Sequence, residues 1–409
     1  MKFSVVIPTH NRLELLKDAI ETVRRQDHGD WELVVFDNAS TDDIAGHVAG
    51  LSDARIRYAR SDDFLPVTDS WNRAIALGAA GDYVVFLGDD DGLAPRYFSR
   101  IAAIIEKFHS PEVLYCALYQ FMHPGVMPRA RGGYVAQVKD GFFFIGRDTP
   151  FPLDRKDSQK AVSGSIALQR NFTFNIQAFA FSRGILARLR EDGPIFRSPF
   201  PDYYLANIAL AKARSVVVVP VPMSIAGVSK ASFGFTLFNQ LEEKGAQLLN
   251  AKLAADPLYP EVERFLLPGP LYNTNYVLTM EHVARYAREF VDCSVDYARY
   301  RRLQILAVLS AGGGRLSRTT DGKELWSKLT APEKLWAAAM AVPLLLGRLV
   351  GFGGLMPRVL RRLFSPYGFR HKQVVLDRGS FTRLIQIFEA LQQGAFEISA
   401  RPVPQPAKQ

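Results

Sequence analysis

The stretch VVFLGDDDGLAP, residues 84–95, decides the fold, because in it an apolar strand ends abruptly at three adjacent aspartates. Neighbouring carboxylates disfavour one another's ionisation, and a nearby cation or a set of hydrogen-bond donors relieves that cost. Hard divalent cations prefer oxygen ligands. Asp89, Asp90 and Asp91 therefore predict a ligand crevice at the end of a buried strand, with a divalent cation as the first candidate occupant.

Strand and helix patterns alternate on both sides of this stretch. Apolar runs at residues 3–7, 33–36, 56–58, 83–87 and 113–121 have the length of strands, and segments with apolar residues at helical spacing separate most of them. This alternation predicts an α/β fold with a Rossmann-like, mostly parallel sheet flanked by helices. Ligands of such sheets bind beyond the carboxyl ends of the strands.

Polar clusters follow three of these strands. They are PTHNR at 8–12, DNASTD at 37–42 and DDD at 89–91. Because parallel strands end at the same edge of their sheet, we expect the three clusters to lie together. That convergence predicts one binding crevice and is stronger evidence than any single cluster.

The overall composition limits the function classes. A chain of 409 residues exceeds the size of a single core and predicts more than one structural unit. A net charge of +9 indicates an anionic partner. Two cysteines, Cys116 and Cys293, cannot form a disulfide framework. The first residues lack the pattern of a secretory signal, so a cytoplasmic location is expected.

The C-terminal part has a different character. Residues 336–356, WAAAMAVPLLLGRLVGFGGLM, are long enough to span a bilayer, but Pro343, Arg348 and four glycines argue against a span. A basic cluster follows up to Lys372. An apolar segment beside basic residues predicts peripheral contact of 336–372 with an anionic membrane face, here the inner face of the cytoplasmic membrane. The alternative is a buried helical hairpin with solvated charges.

Four motifs in this order resemble the family-2 glycosyltransferases. They are VVIPTHNR at 5–12, VVFDNASTDD at 34–43, SWNRAIALGAAGDYVVFLGDDD at 70–91 and the weaker FPDYYLA at 200–206. The resemblance implies a GT-A nucleotide-binding domain over 1–230. The chain after it is predicted as a helical extension (231–325), an apolar and basic helical region (326–398) and a disordered tail (399–409).

The resemblance also implies an activity. The expected enzyme is an inverting, metal-dependent glycosyltransferase. It would move a sugar from a nucleoside diphosphate, UDP first, to a hydroxyl of a glycan or lipid-linked acceptor in cell-surface polysaccharide or glycolipid synthesis. Mn²⁺ or Mg²⁺ would neutralise the leaving diphosphate.

The family's metal motif is Asp-x-Asp, and its register is open here. Counted from Leu87, the first aspartate position falls on Gly88 and the second on Asp90. The other register uses Asp89 and Asp91. We expect Asp90 to be the direct ligand, Asp91 to support it, and Asp89 to face the ribose or the metal. The alternative is a capped turn at Asp91 and Gly92.

The resemblance assigns the nucleoside to the first two clusters. Asp37 is expected to accept the imide N–H of uracil or the paired donors of guanine. The other predicted nucleotide-binding residues are Pro8, Thr9, Asn11, Arg12, Asn38, Ser40 and Asn72. Helix capping before Ile44 remains an alternative for Ser40, and a surface helix position remains one for Asn72.

A general base must approach the sugar opposite the leaving group. The resemblance implies an aspartate on the acceptor side, well after the metal motif. Asp202, which follows two prolines and opens a helical stripe, fits that place and is the expected base. An N-cap role is its alternative. Glu191 and Asp192 are second choices.

Other classes fit the sequence less well. No GxxxxGK[ST] motif marks an NTPase, no Gly-rich loop follows the first strand as in nucleotidylyltransferases, and no Glu closes an EF-hand. No aromatic–basic platform indicates a nucleic-acid partner. A catalytically inactive GT-A scaffold docked on a membrane stays open because of Gly88.

Overall fold

A computed structural model of the chain describes residues 1–127, 132–140, 142–144, 146–239, 241–250, 252–349 and 371–396. Its strands are β1 (Phe3–Thr9), β2 (Trp31–Asn38), β3 (Ile56–Ser61), β4 (Tyr83–Phe86), β5 (Gly92–Leu93), β6 (Val113–Met122), β7 (Tyr134–Asp140), β8 (Phe151–Pro152), β9 (Phe179–Ser182), β10 (Val216–Val228) and β11 (His371–Arg378).

The α-helices are α1 (Leu13–Arg24), α2 (Ile44–Gly50), α3 (Val67–Ala76), α4 (Tyr97–Lys107), α5 (Arg155–Ile166), α6 (Arg183–Glu191), α7 (Pro201–Lys212), α8 (Phe233–Asn239), α9 (Glu242–Leu249), α10 (Tyr259–Val262), α11 (Leu271–Ala287), α12 (Tyr297–Ala311), α13 (Gly322–Lys328), α14 (Ala331–Leu349) and α15 (Leu384–Gln392). Short 3₁₀ helices are Ile176–Ala178, Leu253–Ala255, Glu263–Phe265 and Leu316–Arg318.

The strands form one mixed sheet in the order β11-β7-β6-β9-β4-β1-β2-β3, and β10 pairs with β5, β6 and β8. The pairs β4–β1, β1–β2 and β2–β3 are parallel, as is β6–β10. Strands β7, β9 and β11 pair antiparallel with their neighbours. The predicted α/β class, with helices around the sheet and a mainly helical C-terminal region, is confirmed. The parallel strands place the ends of β1, β2 and β4 at one edge.

Helices cover both faces of the parallel strands, which is why these strands are nearly continuous apolar runs. Val5 and Ile7 of β1 face one apolar cluster with α1 and α4. Val6 faces the other cluster, to which α3, α5 and α7 contribute. Alternate residues of each strand thus bury on opposite sides, and the polar residues that follow are held at fixed positions.

The helical extension packs onto this core as a series of helices. Helix α11 contacts α5 and α7, α12 contacts α11, and α14 contacts α12. Leu306, Leu309, Leu325 and Leu344 belong to a separate apolar cluster there. Within the described part of the chain, no helix has the length and apolarity that crossing a membrane requires.

One part of the predicted helical region 326–398 is not helical. Residues His371–Arg378 form β11, which pairs with β7 along the sheet edge. The helix that follows, α15, packs against α1, with Arg383 bound to Asp18. An edge strand offers unpaired backbone groups, and pairing there satisfies the backbone of β11. The predicted disordered tail and the basic residues of 350–370 lie outside the described residues.

Candidate active site

The turn after β4 is held by Asp91. Its Oδ2 accepts a hydrogen bond from the Gly88 N–H at 2.7 Å, and its Oδ1 accepts from the Gly227 N–H at 2.9 Å and from Gln177 Nε2 at 3.1 Å. Burial raises the pKa of this carboxyl well above its ordinary value, and the adjacent Asp90 raises it further. Both oxygens of Asp91 are therefore engaged in fixing the turn against β10.

Glycines allow this close approach. A Cβ at Gly227 would overlap the backbone carbonyl of Asp90, so β10 can pass the turn only with glycine there. A Cβ at Gly88 would lie 2.8 Å from Asp91 Oδ2. The space that an aspartate at position 88 would need is thus occupied by Asp91.

Asp89 is joined to the first strand end. Its Oδ2 accepts from Thr9 Oγ1 at 2.8 Å, and its Oδ1 forms a 2.9 Å ion pair with Arg12 Nη1. Burial raises the pKa of Asp89, and Arg12 opposes that shift. Burial alone would lower the pKa of Arg12, but the aspartates outweigh it and the net shift is upward. The pair is therefore a buried carboxylate in direct contact with a partly buried guanidinium.

We call Asp89, Asp90 and Asp91 the triplet. Among the described residues, Asp90 accepts fewer hydrogen bonds than the other two. Its Oδ2 accepts a long hydrogen bond of 3.3 Å from the Ser229 N–H. Ser229 begins the segment 229–232, which links β10 to α8, and Arg12 also donates to the Ala231 carbonyl in that segment. Asp90 thus borders a loop that the triplet and Arg12 hold in place.

The arrangement of these carboxylates fits a divalent cation that takes most of its ligands from a bound substrate. In the described ranges, no group of three or more His, Cys, Asp and Glu side chains could enclose a metal ion. Mg²⁺ in proteins commonly uses one or two carboxylates and takes its other ligands from substrate phosphates and water. Asp90, with Asp89 beside it, fits a cation that arrives with a diphosphate rather than a resident structural ion.

The second strand end surrounds Asp37. Its Oδ1 accepts from the Ser40 N–H at 2.8 Å, and its Oδ2 accepts from Tyr58 Oη and Arg60 Nη1, both at 2.8 Å. Burial pushes the pKa of Asp37 up, but the hydrogen bonds from Ser40 and Tyr58 and the charge of Arg60 outweigh it, and the net pKa is lowered. The Arg60 side chain is 43% exposed, so it covers the carboxylate from the solvent side.

Asn11 and Ser40 tie the first two strand ends together. The Asn11 N–H donates to Ser40 Oγ at 2.9 Å, and Asn11 Oδ1 accepts from the Thr41 N–H at 2.6 Å. Asn11 has a left-handed backbone with φ of 54°. Helix α2 is capped by Asp43 and not by Ser40. The capping alternative for Ser40 is therefore wrong, and its hydroxyl instead joins two loops of the crevice.

Two predicted nucleotide ligands have structural partners instead. Asn38 donates to the Leu65 carbonyl at 3.0 Å and accepts from its N–H at 2.9 Å. Asn72 makes the same pair of bonds with Phe196, at 2.9 and 3.1 Å. Each amide is used on both ends by backbone. We therefore assign both residues to holding loops around the crevice.

Asp202 lies in the first turn of α7, whose N-cap is Phe200, so the N-cap alternative for Asp202 is wrong. Burial raises the pKa of Asp202 to about 6, and Arg170 opposes the shift. The Phe200 ring packs against Phe233, 5.3 Å between ring centroids, at the start of α8. Because 229–232 directly precede Phe233 and contact Asp90, this segment connects the N-terminus of α7 with the triplet.

The sequence profile described as glycosyl transferase family 2 matches residues 4–171, the range that contains the three strand-end clusters. Residues 4–171 are therefore similar in sequence to that family, and we call this range the family-2 domain. The match ends before Asp202, so the family assignment covers the crevice formed by β1, β2 and β4.

Curated relatives are similar to this chain over a part of its length. A PGL/p-HBAD biosynthesis glycosyltransferase of Mycobacterium bovis is 37% identical over 117 residues, 28% of this chain and 45% of that protein. The GalNAc(5)-diNAcBac-PP-undecaprenol beta-1,3-glucosyltransferase of Campylobacter jejuni is 37% identical over 102 residues, 24% of this chain and 33% of that protein. The chain spans less than half the length of the curated relatives it matches.

Among solved structures, S. aureus TarS residues 1–349 in complex with UDP aligns with 16% identity and a TM-score of 0.45, over 86% of this chain and 92% of that one. A mannosyltransferase of Pyrobaculum calidifontis in complex with GDP-Man and Mn²⁺ aligns with 17% identity and a TM-score of 0.38, over 86% of each chain.

Several residues of the crevice lie outside the four sequence motifs. Ser229, Ala231 and Gln177 reach the family-2 domain from segments far along the chain, and each was missed by sequence reasoning. A glycine inside a buried strand signals a close approach of another backbone. Gly227 at the end of β10 was the available signal for this part of the site.

Proposed function

We propose that the chain is an inverting glycosyltransferase that moves a sugar from a nucleoside diphosphate, UDP first, to a hydroxyl of a glycan or lipid-linked acceptor. One observation carries the proposal: Asp37 at the end of β2 and the aspartates after β4 both connect to the end of β1, which lies between them. Thr9 and Arg12 contact Asp89, and Asn11 contacts Ser40, which donates to Asp37. The family match supports the reaction class, and the relatives' names support cell-surface glycolipid or glycan synthesis.

In this proposal the crevice binds the nucleoside and the diphosphate at separate strand ends. Asp37 recognises a base N–H, with Pro8, Thr9 and Asn11 beside it, after Arg60 moves from the carboxylate. Arg12 supplies a fixed positive charge next to the diphosphate, and Asp89 holds that charge in place. Guanidinium groups suit phosphate oxygens because they offer several donors in one plane.

Asp90 and Asp89 would hold Mn²⁺ or Mg²⁺ together with the donor, and Asp91 would fix the turn that carries them. When bound, the cation supplies Lewis-acid stabilisation of the departing diphosphate. The protein's own contribution is the position of the Asp90 carboxylate, which the Asp91 hydrogen bonds to Gly88 and Gly227 determine.

Asp202 is the proposed general base. A half-buried carboxylate with a pKa of about 6 is ionised at neutral pH and is still a better proton acceptor than an ordinary aspartate. Asp192, the second choice, pairs with Lys212 beyond the end of α6, and Glu191 ends that helix. Asp202 remains the better candidate because the segment 229–233 joins the N-terminus of α7, where Asp202 lies, to the triplet.

The proposed location is the cytoplasm, with peripheral contact at the inner face of the membrane through 336–372, of which 336–349 and 371–372 are described. The proposed partners are the nucleotide sugar, the acceptor and this membrane, without nucleic acid.

Thermal unfolding with UDP, GDP, dTDP and CDP, each with and without Mn²⁺, tests the donor. Ligand at about 100 Kd stabilises the folded state by about 2.7 kcal/mol. We expect a Mn²⁺-dependent rise in Tm for one diphosphate, retained by Asp43→Asn and lost in Asp90→Asn. If no diphosphate raises the Tm, the inactive-scaffold interpretation replaces this proposal.

A further inference from the structure

Helix α14 has an apolar face whose side chains are exposed to solvent. Leu335 is 75% exposed, Val342 is 53% exposed and Leu346 is 55% exposed. These positions recur at the spacing of one helical face, and the exposed Ala338 and Ala339 lie between them. From 335 to 346 the face is about 16 Å long. We call these five residues the α14 stripe.

The opposite face of α14 is part of a protein core. Ala337 and Leu344 are buried in the cluster that α12 and α13 share with this helix. The helix is therefore packed on one side and uncovered on the other. A helix with this division lies along a surface with its apolar face inserted, because turning it would expose the buried face.

A cavity of about 420 Å³ opens beside the α14 stripe. Its lining is mostly apolar and comes from α12, the 3₁₀ helix Leu316–Arg318, α13 and α14. Leu309, Leu316 and Ala341 line it, and Trp326, which is 44% exposed, stands at its edge. The cavity extends the exposed apolar surface into the helical extension and has room for part of a hydrocarbon chain.

Basic side chains surround this surface. Arg315, Arg318 and Lys323 are exposed, and in the described part of the chain no ion pair joins them to an acidic side chain. Lys334 lies 5.5 Å from the Trp326 ring centroid. The sequence that follows α14, residues 350–372, contains five basic residues and no acidic one.

We propose that the α14 stripe and the adjoining cavity bind an anionic lipid bilayer, with a lipid hydrocarbon chain entering the cavity between α13 and α14. The charges favour this occupant over a second copy of the chain. A two-fold interface would place the same basic rim on both sides, where like charges repel. Anionic headgroups instead attract each nearby Lys and Arg.

The surface is connected to the acceptor side of the proposed active site. Helix α14 packs on α12, α12 on α11, and α11 on α7, which carries Asp202. The naming of the acceptor as lipid-linked rests on the proposed function, whereas bilayer binding rests on the α14 stripe itself. A bilayer at α14 would hold a lipid-linked acceptor beside the enzyme.

Sedimentation of the full chain with phosphatidylcholine vesicles, with and without phosphatidylglycerol, tests the inference. We expect binding to the anionic vesicles, and a loss of about tenfold or more in the double variant Val342→Glu, Leu346→Glu, because two apolar side chains leave the bilayer. The double variant Leu77→Glu, Val221→Glu, which makes the same two kinds of change at residues that are each 39% exposed, is the matched control and is expected to bind as the wild type does.

The fluorescence of Trp326 adds an independent measurement. Brominated-chain lipids are expected to quench the wild-type protein more than Trp326→Phe. The proposal is overturned if the double variant binds vesicles like the wild type, or if the wild type does not bind them. It is also overturned if ultracentrifugation shows a dimer that the double variant dissociates, or if Trp326 is already shielded from acrylamide without vesicles.

UDP stabilisation measured on the same proteins separates the two proposals. Vesicle binding without nucleotide binding would reject the proposed function and retain the bilayer surface. Nucleotide binding without vesicle binding would reject the bilayer surface, together with the proposed membrane contact of 336–372, and would retain the proposed transferase activity.

Discussion

The crevice of the family-2 domain and the α14 stripe treat their side chains in opposite ways. In the crevice, Asp37, Asp89 and Asp91 are buried polar groups whose hydrogen bonds are made within the protein. On α14, large apolar side chains face solvent. In each region a few side chains have an unsatisfied preference. Asp90 accepts one long hydrogen bond among the described residues, and the apolar side chains of the α14 stripe are exposed to solvent. Burial and polarity alone therefore do not separate Asp90 from its neighbours, whereas its lack of strong internal hydrogen bonds does.

The largest expected effect tests the difference between Asp90 and its neighbours. Asp90→Asn removes a charge without removing a strong internal hydrogen bond, so we expect transfer to fall by about 10³-fold with little change in Tm. Turnover of a UDP-sugar and a thermal melt measure the two quantities. Asp43→Asn, which weakens the α2 cap, is the control with unchanged turnover. If Asp90→Asn turns over at the wild-type rate, the Asp90 carboxylate has no role in sugar transfer.

The next effect concerns Asp202. The ionised form must accept the proton, so kcat/KM is expected to rise with pH and to level off above about 6. Asp202→Asn should lower turnover by about 10²-fold or more and lose this pH dependence. A pH–rate profile that is unchanged in Asp202→Asn would assign the base elsewhere.

The same raised pKa gives Asp202 a stability signature. Because the folded state disfavours its ionisation, the cost to stability is absent below the ordinary pKa of 3.8 and is complete above about 6. Asp202→Asn is therefore expected to stabilise the protein by about 2 kcal/mol at pH 8 and to have no such effect at pH 3.5. Urea unfolding at the two pH values measures the difference.

A purely structural effect is expected at Asp91. Asp91→Ala leaves the N–H groups of Gly88 and Gly227 without acceptors, which should cost about 3 kcal/mol of unfolding free energy. Chemical denaturation provides the measurement. If Asp91→Ala is as stable as the wild type, the account of this turn is wrong, and Asp91 becomes an alternative metal ligand.

The smallest effects separate the two faces of α14. Leu344 and Leu346 are two positions apart on the same helix, but Leu344 is 2% exposed and Leu346 is 55% exposed. Leu344→Ala should cost about 2 kcal/mol, and Leu346→Ala only about 0.3 kcal/mol. Equal losses in urea unfolding would mean that Leu346 is covered in solution, and that the α14 stripe is not an open surface.

The sequence by itself determined the parallel part of the sheet and the crevice at its edge. The strands β1, β2 and β4 are short apolar runs that end in polar clusters, and their pairing follows from the alternation with helices. Local pattern suffices there, because each strand end places its own residues at one edge. The roles of Asn38 and Asn72 were not visible, because an amide looks the same whether a ligand or a backbone loop takes its hydrogen bonds.

Only the tertiary structure decided which aspartate remains available and where the C-terminal segment goes. Asp91 accepts a hydrogen bond from the N–H of Gly227, which lies 136 residues further along the chain. Strand β11 joins the sheet by pairing with β7. Neither contact leaves a period or spacing in the nearby sequence. The physical reason is that a hydrogen-bond partner or an open sheet edge is a property of distant chain segments brought together, and it exists only once the sheet has formed.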